Sequence, residues 1–220
     1  MRHTSRPLVR LLRAAMHHFR TARMERFERM FGLGADDRVI DIGGTAFNWR
    51  LVSVLPWVVL VNPDQQEGDG EKIRAETGDG RALAYPDYSF DIAYSNSVIE
   101  HVGDWAAQQA FARETARLAP AYYVQTPYRW FPVEPHTLAP FIHYLPLPLY
   151  RRLVRWFSLW GLLERPNAKR VGRMVDNIRL LDRAALRALF PDAVIMTERV
   201  LGLPKSLIAV RIPAGRGQRQ

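Results

Sequence analysis

Across residues 8–31, apolar side chains return every three or four positions: Leu8, Leu12, Ala15, Met16, Phe19, Phe27, Met30 and Phe31. That spacing predicts an amphipathic helix, or two in succession, ended by Gly32 and Gly34. The period then changes. Residues 38–42 (RVIDI) form a short β-rich run that stops at Gly43 and Gly44, and residues 58–61 form a second that ends at Asn62 and Pro63. A weaker candidate covers 73–77, and clearer ones cover 90–94 and 121–124. Between the last two, residues 105–118 (WAAQQAFARETARL) carry helical propensity and period. Strands alternating with helices predict βαβ units and a mainly parallel sheet. The texture shifts after Pro127. Residues 128–148 are dense in proline and aromatics and too irregular for one element, whereas 149–163 and 181–190 read as helices, the second capped by Asp182. Residues 193–196 and 206–210 read as an antiparallel pair closing the sheet, and 214–220 as a frayed tail. The expected fold is thus α/β: a Rossmann-like doubly wound sheet, mainly parallel, with an antiparallel C-terminal strand pair. It divides into an N-terminal helical arm (1–34) and one domain (35–220) that carries an insertion at about 128–180.

Charge refines this picture. The 220 residues carry 31 Lys and Arg against 22 Asp and Glu, a net +9. The excess is unevenly placed: net +6 over 1–34, −7 over 35–150, +6 over 151–183 and +4 over 184–220. An acidic centre with basic flanks is not the pattern of a chain that wraps nucleic acid with its whole face. The absence of cysteine excludes disulfides, zinc fingers and thiol nucleophiles. No uncharged apolar run approaches the ~18 residues of a membrane span. The basic start lacks the uninterrupted apolar segment and cleavage site of a secretory signal, so a cytoplasmic location is expected.

Chemistry enters where the first strand runs into Asp41, Gly43 and Gly44 and then a candidate helix. Glycines there let a ligand approach the backbone, and the helix N-terminus offers N–H donors to an anionic group. Other features come at useful distances. Asn62 ends the second strand 21 residues after Asp41, where nucleoside-binding folds place a polar residue toward a ribose. Gly78, Asp79 and Gly80 come next, able to set a carboxylate against an adenine amino group. Residues 86–102 read PDYSFDIAYSNSVIEHV.

That last run, with the glycine turn before it, resembles the class I S-adenosylmethionine-dependent methyltransferases, of the small-molecule type that includes quinone-biosynthesis enzymes. The resemblance covers residues 38–126 and fits the C-terminal strand pair. It implies S-adenosylmethionine as cofactor, with Asp41, Gly43 and Gly44 at its methionine end, Asn62 at the ribose, Asp79 and Gly80 at the adenine, and Ser95 and Asn96 beside the sulfonium. Two positions depart from the pattern. Thr45 and Phe47 stand where further glycines are usual, and Asn62 replaces the ribose-binding acid, with Asp64 nearby as a substitute.

Methyl transfer is an in-line displacement that needs a general base only when the acceptor must lose a proton. Among six histidines, His101 follows the fourth strand at the sheet edge that binds ligands, and His136 lies in the loop after the fifth. These two are the candidate catalytic or acceptor-orienting residues, with Glu134 behind them. No metal-ligand set is read from the sequence. Trp49, Trp57 and Trp105 read as packing residues. The aromatic-rich insertion predicts a small-molecule acceptor that is flat or lipid-like. Its helix sets Arg151, Arg152 and Arg155 on one arc, with Tyr150, Leu153, Val154, Phe157 and Trp160 around the opposite side, as an interfacial helix would for peripheral membrane contact. Two alternatives stand beside this reading. One is a non-catalytic protein that kept the fold. The other is an RNA methyltransferase, prompted by the basic pI, although the Pro-Pro-aromatic motif of base-modifying enzymes is absent after the fourth strand.

Overall fold

The computed structural model describes residues 7–64 and 67–216, with side chains from His17 onward. Leu8, Leu12, Ala15 and Met16 are therefore described by their backbone alone, and the end of the expected tail lies outside the described residues. Nine strands are present among them: β1 (Arg38–Ile42), β2 (Trp57–Asn62), β3 (Ile73–Thr77), β4 (Ile92–Asn96), β5 (Ala121–Pro127), β6 (Val133–Glu134), β7 (Ala139–Pro140), β8 (Val194–Val200) and β9 (Leu203–Arg211). The helices are α1 (Pro7–Phe31), α2 (Ala46–Trp49), α3 (Trp105–Leu118), α4 (Leu147–Phe157), α5 (Leu159–Glu164), α6 (Ala168–Asp176) and α7 (Arg183–Leu189). Seven strands form one sheet in the order β3-β2-β1-β4-β5-β9-β8, parallel through β5 and antiparallel at β9 and β8; β6 and β7 pair separately.

Period-two alternation distributes the core. Ile40, Ile42, Ala93, Tyr122 and Val124 face α3 and α7, where they meet Phe111, Leu118, Leu186 and Phe190. Val39, Leu60, Tyr94 and Tyr123 face the other way and meet Met24, Phe27 and Phe31 of α1 together with Trp49 of α2. Both faces are covered, which is why the parallel strands are nearly continuous apolar runs. The last two turns of α1 are therefore part of the main core.

Several elements differ from expectation for local reasons. The single helix expected over 149–163 is two, because Ser158 leaves the helical region (φ −130°, ψ 150°) and caps α5 through Gly161 N–H to Ser158 Oγ at 2.8 Å. The α6 helix is an addition to the expected set. Asn167 caps it at Arg170 N (2.9 Å), and Val171 and Val175 close a small separate core with Tyr150 and Val154. The C-terminal strands are longer than expected and turn through Leu201 (φ 50°) and Gly202 (φ 79°), the two left-handed positions of a type I′ hairpin.

Candidate active site

The carboxyl ends of β1 to β4 converge on one cavity. Gly43 N–H donates to Val61 O (2.7 Å), extending the β1–β2 ladder before the chain turns away at φ +80°. A Cβ on Gly43 would lie 2.4 Å from Val98 Cγ2, and one on Gly44 would lie 1.8 Å from Asp41 Oδ2. The Asp41 carboxylate thus sits directly against Gly44, fully buried. Its Oδ2 accepts from the Trp49 indole N–H (2.9 Å), while Oδ1 has no partner. Burial pushes its pKa up to about 7, against the opposing effect of the Trp49 bond. Trp49 packs as expected and also holds this acid. The helix after the glycine turn is only one turn long, and Thr45 makes no side-chain cap.

Asn62 is buried, and its Nδ2 donates to Gly44 O (2.8 Å), so its amide props the glycine turn. Next to it opens a cavity of about 270 Å³ lined by Ile42, Gly43, Val61, Gly78, Asp79, Gly80, Arg81, Val98, His101, Val102 and Phe111. Its wall is apolar except for Asp79, Arg81 and His101. Arg81 Nε donates to both Asp79 oxygens (2.8 and 3.0 Å), and these bonds hold the carboxyl below its ordinary pKa against a slight burial effect; Arg81 Nη1 reaches Val102 O (3.3 Å). Gly80 is required sterically, since a Cβ would fall 2.4 Å from Ile42 Cγ2.

Ser95 is fully buried and donates to Ile42 O (2.9 Å), tying β4 to β1. Asn96 Oδ1 accepts from Arg23 Nη1 of α1 (2.7 Å), and Arg23 Nη2 donates to Glu198 of β8 (2.6 Å). This buried ion pair lies beside the stacked rings of Tyr94 and Tyr123, whose hydroxyls are buried without partners.

The two candidate histidines meet. His101 Nε2 and His136 Nε2 lie 3.0 Å apart. His136 Nδ1 lies 2.5 Å from Glu134 Oε1, and Glu134 Oε2 accepts from Thr137 N–H and Oγ1–H, both at 2.7 Å. Glu100 completes the group. Its Oε2 accepts from Thr126 (3.0 Å), and its Oε1, buried and without a hydrogen bond, faces His136 Nε2 (3.7 Å) and His101 Nε2 (4.0 Å). Burial, then the neighbouring His136, lowers His101 to about 4. Burial opposes charge on His136 as well, yet its bond to Glu134 and the charges of Glu134 and Glu100 hold it above its ordinary value. Burial raises Glu100 to about 7. One proton bridges the two Nε2 atoms of the hydrogen-bonded pair.

The expected residues thus form two neighbouring groups. Gly43, Asp79, Gly80 and His101 line the cavity; Asp41, Gly44 and Asn62 build its glycine turn; His136 joins His101 across the loop after β5. Ser95 and Asn96 make their hydrogen bonds to backbone and to Arg23. Sequence reasoning missed Glu100, Arg23 and Arg81. For Glu100 the signal was an acid following two apolar residues and adjoining His101; Arg23 and Arg81 had no local signal.

Residues 45–120 match the family described as "Methyltransferase domain". Among solved structures, magnesium protoporphyrin IX methyltransferase from Synechocystis PCC 6803, determined with bound S-adenosylhomocysteine, superposes with a TM-score of 0.58 at 13% identity, covering 96% of this chain and 90% of that one. A protein titled a putative Zn-dependent alcohol dehydrogenase from Rhodobacter sphaeroides superposes at 0.55 with 12% identity, covering 83% and 85%. A putative methyltransferase complexed with the Trm112 activator of Haloferax volcanii gives 0.50 at 13% identity, covering 89% and 94%. At these identities the structures establish the fold. Comparison with curated proteins returns no match.

Proposed function

We propose that this chain, a class I S-adenosylmethionine-dependent methyltransferase, moves a methyl group to a small-molecule acceptor held between the His101–His136 pair and the insertion at 128–180. The observation that carries the reading is the single cavity with Asp79 and Gly80 on one wall and His101 on another, at the carboxyl edge of parallel strands. Its residues fit the cofactor. Ile42, Val61 and Phe111 offer an apolar slot for a base, Asp79 a carboxylate at its rim, and the Gly43–Gly44 turn a backbone with no side chain to obstruct the methionine end. When bound, S-adenosylmethionine supplies an electrophilic methyl group. His101 and His136 orient the acceptor and accept its proton where one must be lost.

The acceptor is aromatic or lipid-like. Trp130, Phe141, Trp156 and Phe157 of the insertion are all exposed, and Arg155 stacks 5.3 Å from the Trp156 ring. Among the described residues no helix is long and apolar enough to cross a membrane. The α4 helix, with exposed Leu149, Trp156 and Phe157 beside Arg151 and Arg155, suits contact with an anionic lipid surface.

Calorimetry with S-adenosylmethionine and S-adenosylhomocysteine tests the cofactor reading: binding is expected, and Asp79→Ala weakens it. Absence of binding at high micromolar ligand would overturn it in favour of a non-catalytic fold. Sedimentation with anionic liposomes tests the surface: no binding at low salt would remove the membrane contact.

A further inference from the structure

We propose that Glu100, His101 and His136 form a binding site for one divalent first-row transition cation, set at the edge of the cofactor cavity. Three side-chain atoms converge there: His101 Nε2, His136 Nε2 and Glu100 Oε1, all within 4.8 Å of one another. Their separations are 3.0, 3.7 and 4.0 Å. A point equidistant from the three lies about 2.1 Å from each, the length of an ordinary metal–imidazole or metal–carboxylate bond. The backbone already brings the three atoms to coordination distance of one point.

The surroundings are those a metal site requires. The Glu100 side chain is wholly buried, and its Oε2 is fixed by Thr126, leaving Oε1 with no hydrogen bond and two imidazole nitrogens opposite. A buried acceptor without a hydrogen bond is a free ligand atom, and the charge opposite it is now supplied only by the imidazoles. His136 presents Nε2 inward because Nδ1–H is given to Glu134, the carboxylate–histidine arrangement that orients a ligand and raises its basicity. Glu134 is itself held by two bonds from Thr137. Two imidazoles and one carboxylate around an ion select a transition cation of the zinc, iron or cobalt kind over magnesium or calcium, which prefer all-oxygen sets.

The exposed side of the cluster sets the role. The His101 side chain is 38% accessible and lines the cofactor cavity, so an ion on these three atoms keeps open positions toward that space. This part rests on the methyltransferase reading. An acceptor hydroxyl bound there as a further ligand would lose its O–H proton to solvent, since both Nε2 atoms would then be engaged by the ion and not free to take it; its oxygen would form the new bond to the methyl carbon while the carbon–sulfur bond broke with its electron pair remaining on sulfur. The ion would replace the single proton that bridges the two histidines.

The test uses the full chain stripped with chelator and titrated with Co²⁺ alone, followed by its visible absorption and by calorimetry, with S-adenosylhomocysteine binding measured in parallel. One equivalent of Co²⁺ with ligand-field bands is expected, displaced by Zn²⁺. The isosteric Glu100→Gln and the His136→Gln variants are expected to lose the bands, and Glu134→Gln to weaken binding by about tenfold or more, the usual effect of removing such a supporting contact. Circular dichroism reports whether each variant is folded. A wild-type chain that binds S-adenosylhomocysteine but takes up no cobalt overturns the metal site and leaves the methyltransferase reading standing. Cobalt uptake without S-adenosylhomocysteine binding does the reverse. Bands that survive in folded Glu100→Gln and His136→Gln overturn the assignment to these residues.

Discussion

Replacing Asp41 with asparagine should make the protein more stable, and increasingly so as pH rises. The carboxyl is fully buried, with one hydrogen bond from Trp49 and one oxygen unpartnered, and burial lifts its pKa from 3.8 to about 7. Below pH 3.8 the group is protonated in both folded and unfolded chains, and its full contribution to stability is present. Between those two values only the unfolded chain ionises, so stability falls by about 1.4 kcal/mol per pH unit and levels off once the folded form ionises too. Over the whole window the loss is about 4 kcal/mol, an upper figure because burial in a real protein is partly relieved by water and relaxation. Asparagine keeps an oxygen for the Trp49 N–H and carries no charge to bury. Its amide nitrogen takes the place of the unpartnered oxygen, where the protonated acid also has an unsatisfied O–H, so the two proteins should be near equal at about pH 4. Urea unfolding followed by far-UV circular dichroism at about pH 4, 5.5 and 7.5 spans the window and measures the difference directly. Other groups that titrate in this range, Glu100 among them, cancel between wild type and variant. The reasoning is refuted if the two stabilities run parallel within about 1 kcal/mol across that range, which is less than one pKa unit of differential protonation.

Three further outcomes are expected. Gly44→Ala places a Cβ 1.8 Å from Asp41 Oδ2, so the turn or the carboxyl must move; a loss of about 1–3 kcal/mol in thermal unfolding, with weakened S-adenosylhomocysteine binding, is predicted. Arg23→Met strands Glu198 in the core and should cost about 3–5 kcal/mol, whereas the pair Arg23→Met with Glu198→Leu should recover most of it in the same denaturant assay. Leu201→Asn should stabilise by about 1 kcal/mol, because Leu201 is 97% exposed in a left-handed conformation that asparagine tolerates; a melting temperature unchanged or lower would count against it.

The sheet was legible because its strands bury both faces: runs such as RVIDI and WVVLV cannot sit elsewhere in a chain of this composition, and the turns after them are marked by Gly43 and by Asn62 and Pro63. The cavity was legible for the same reason, since strand ends determine where a doubly wound fold binds. What escaped depended on contacts remote in sequence or on single side chains. Nothing local tells Ser158 to break a helix whose apolar period continues past it; its hydroxyl does so by capping Gly161. Arg23 finds Glu198 only because α1 lies across β4 and β5 beside β8. Asp41 had the right position for a cofactor-binding acid, but the direction of its carboxyl was decided by strand alternation, which turns it toward α2 and Trp49.

The insertion reaches the candidate histidines without lining the cavity of β1 to β4. Its small core joins Tyr150 and Val154 of α4 to Val171 and Val175 of α6, apart from either face of the main sheet. Tyr150 Oη meets Thr137 Oγ1 at 3.3 Å, Thr137 donates to Glu134, and Glu134 holds His136. The orientation of the second histidine is therefore set from the insertion, while that of the first is set by the short turn after β4. A shift of Tyr150 on α4 is passed to His136 through three hydrogen bonds. The net charge of +6 over 151–183 sits on the outer surface of this unit, against a central segment of net −7. The basic excess thus belongs to the insertion, whereas the basic side chains at the site itself are tied up locally, Arg81 on Asp79 and Arg23 on Asn96 and Glu198.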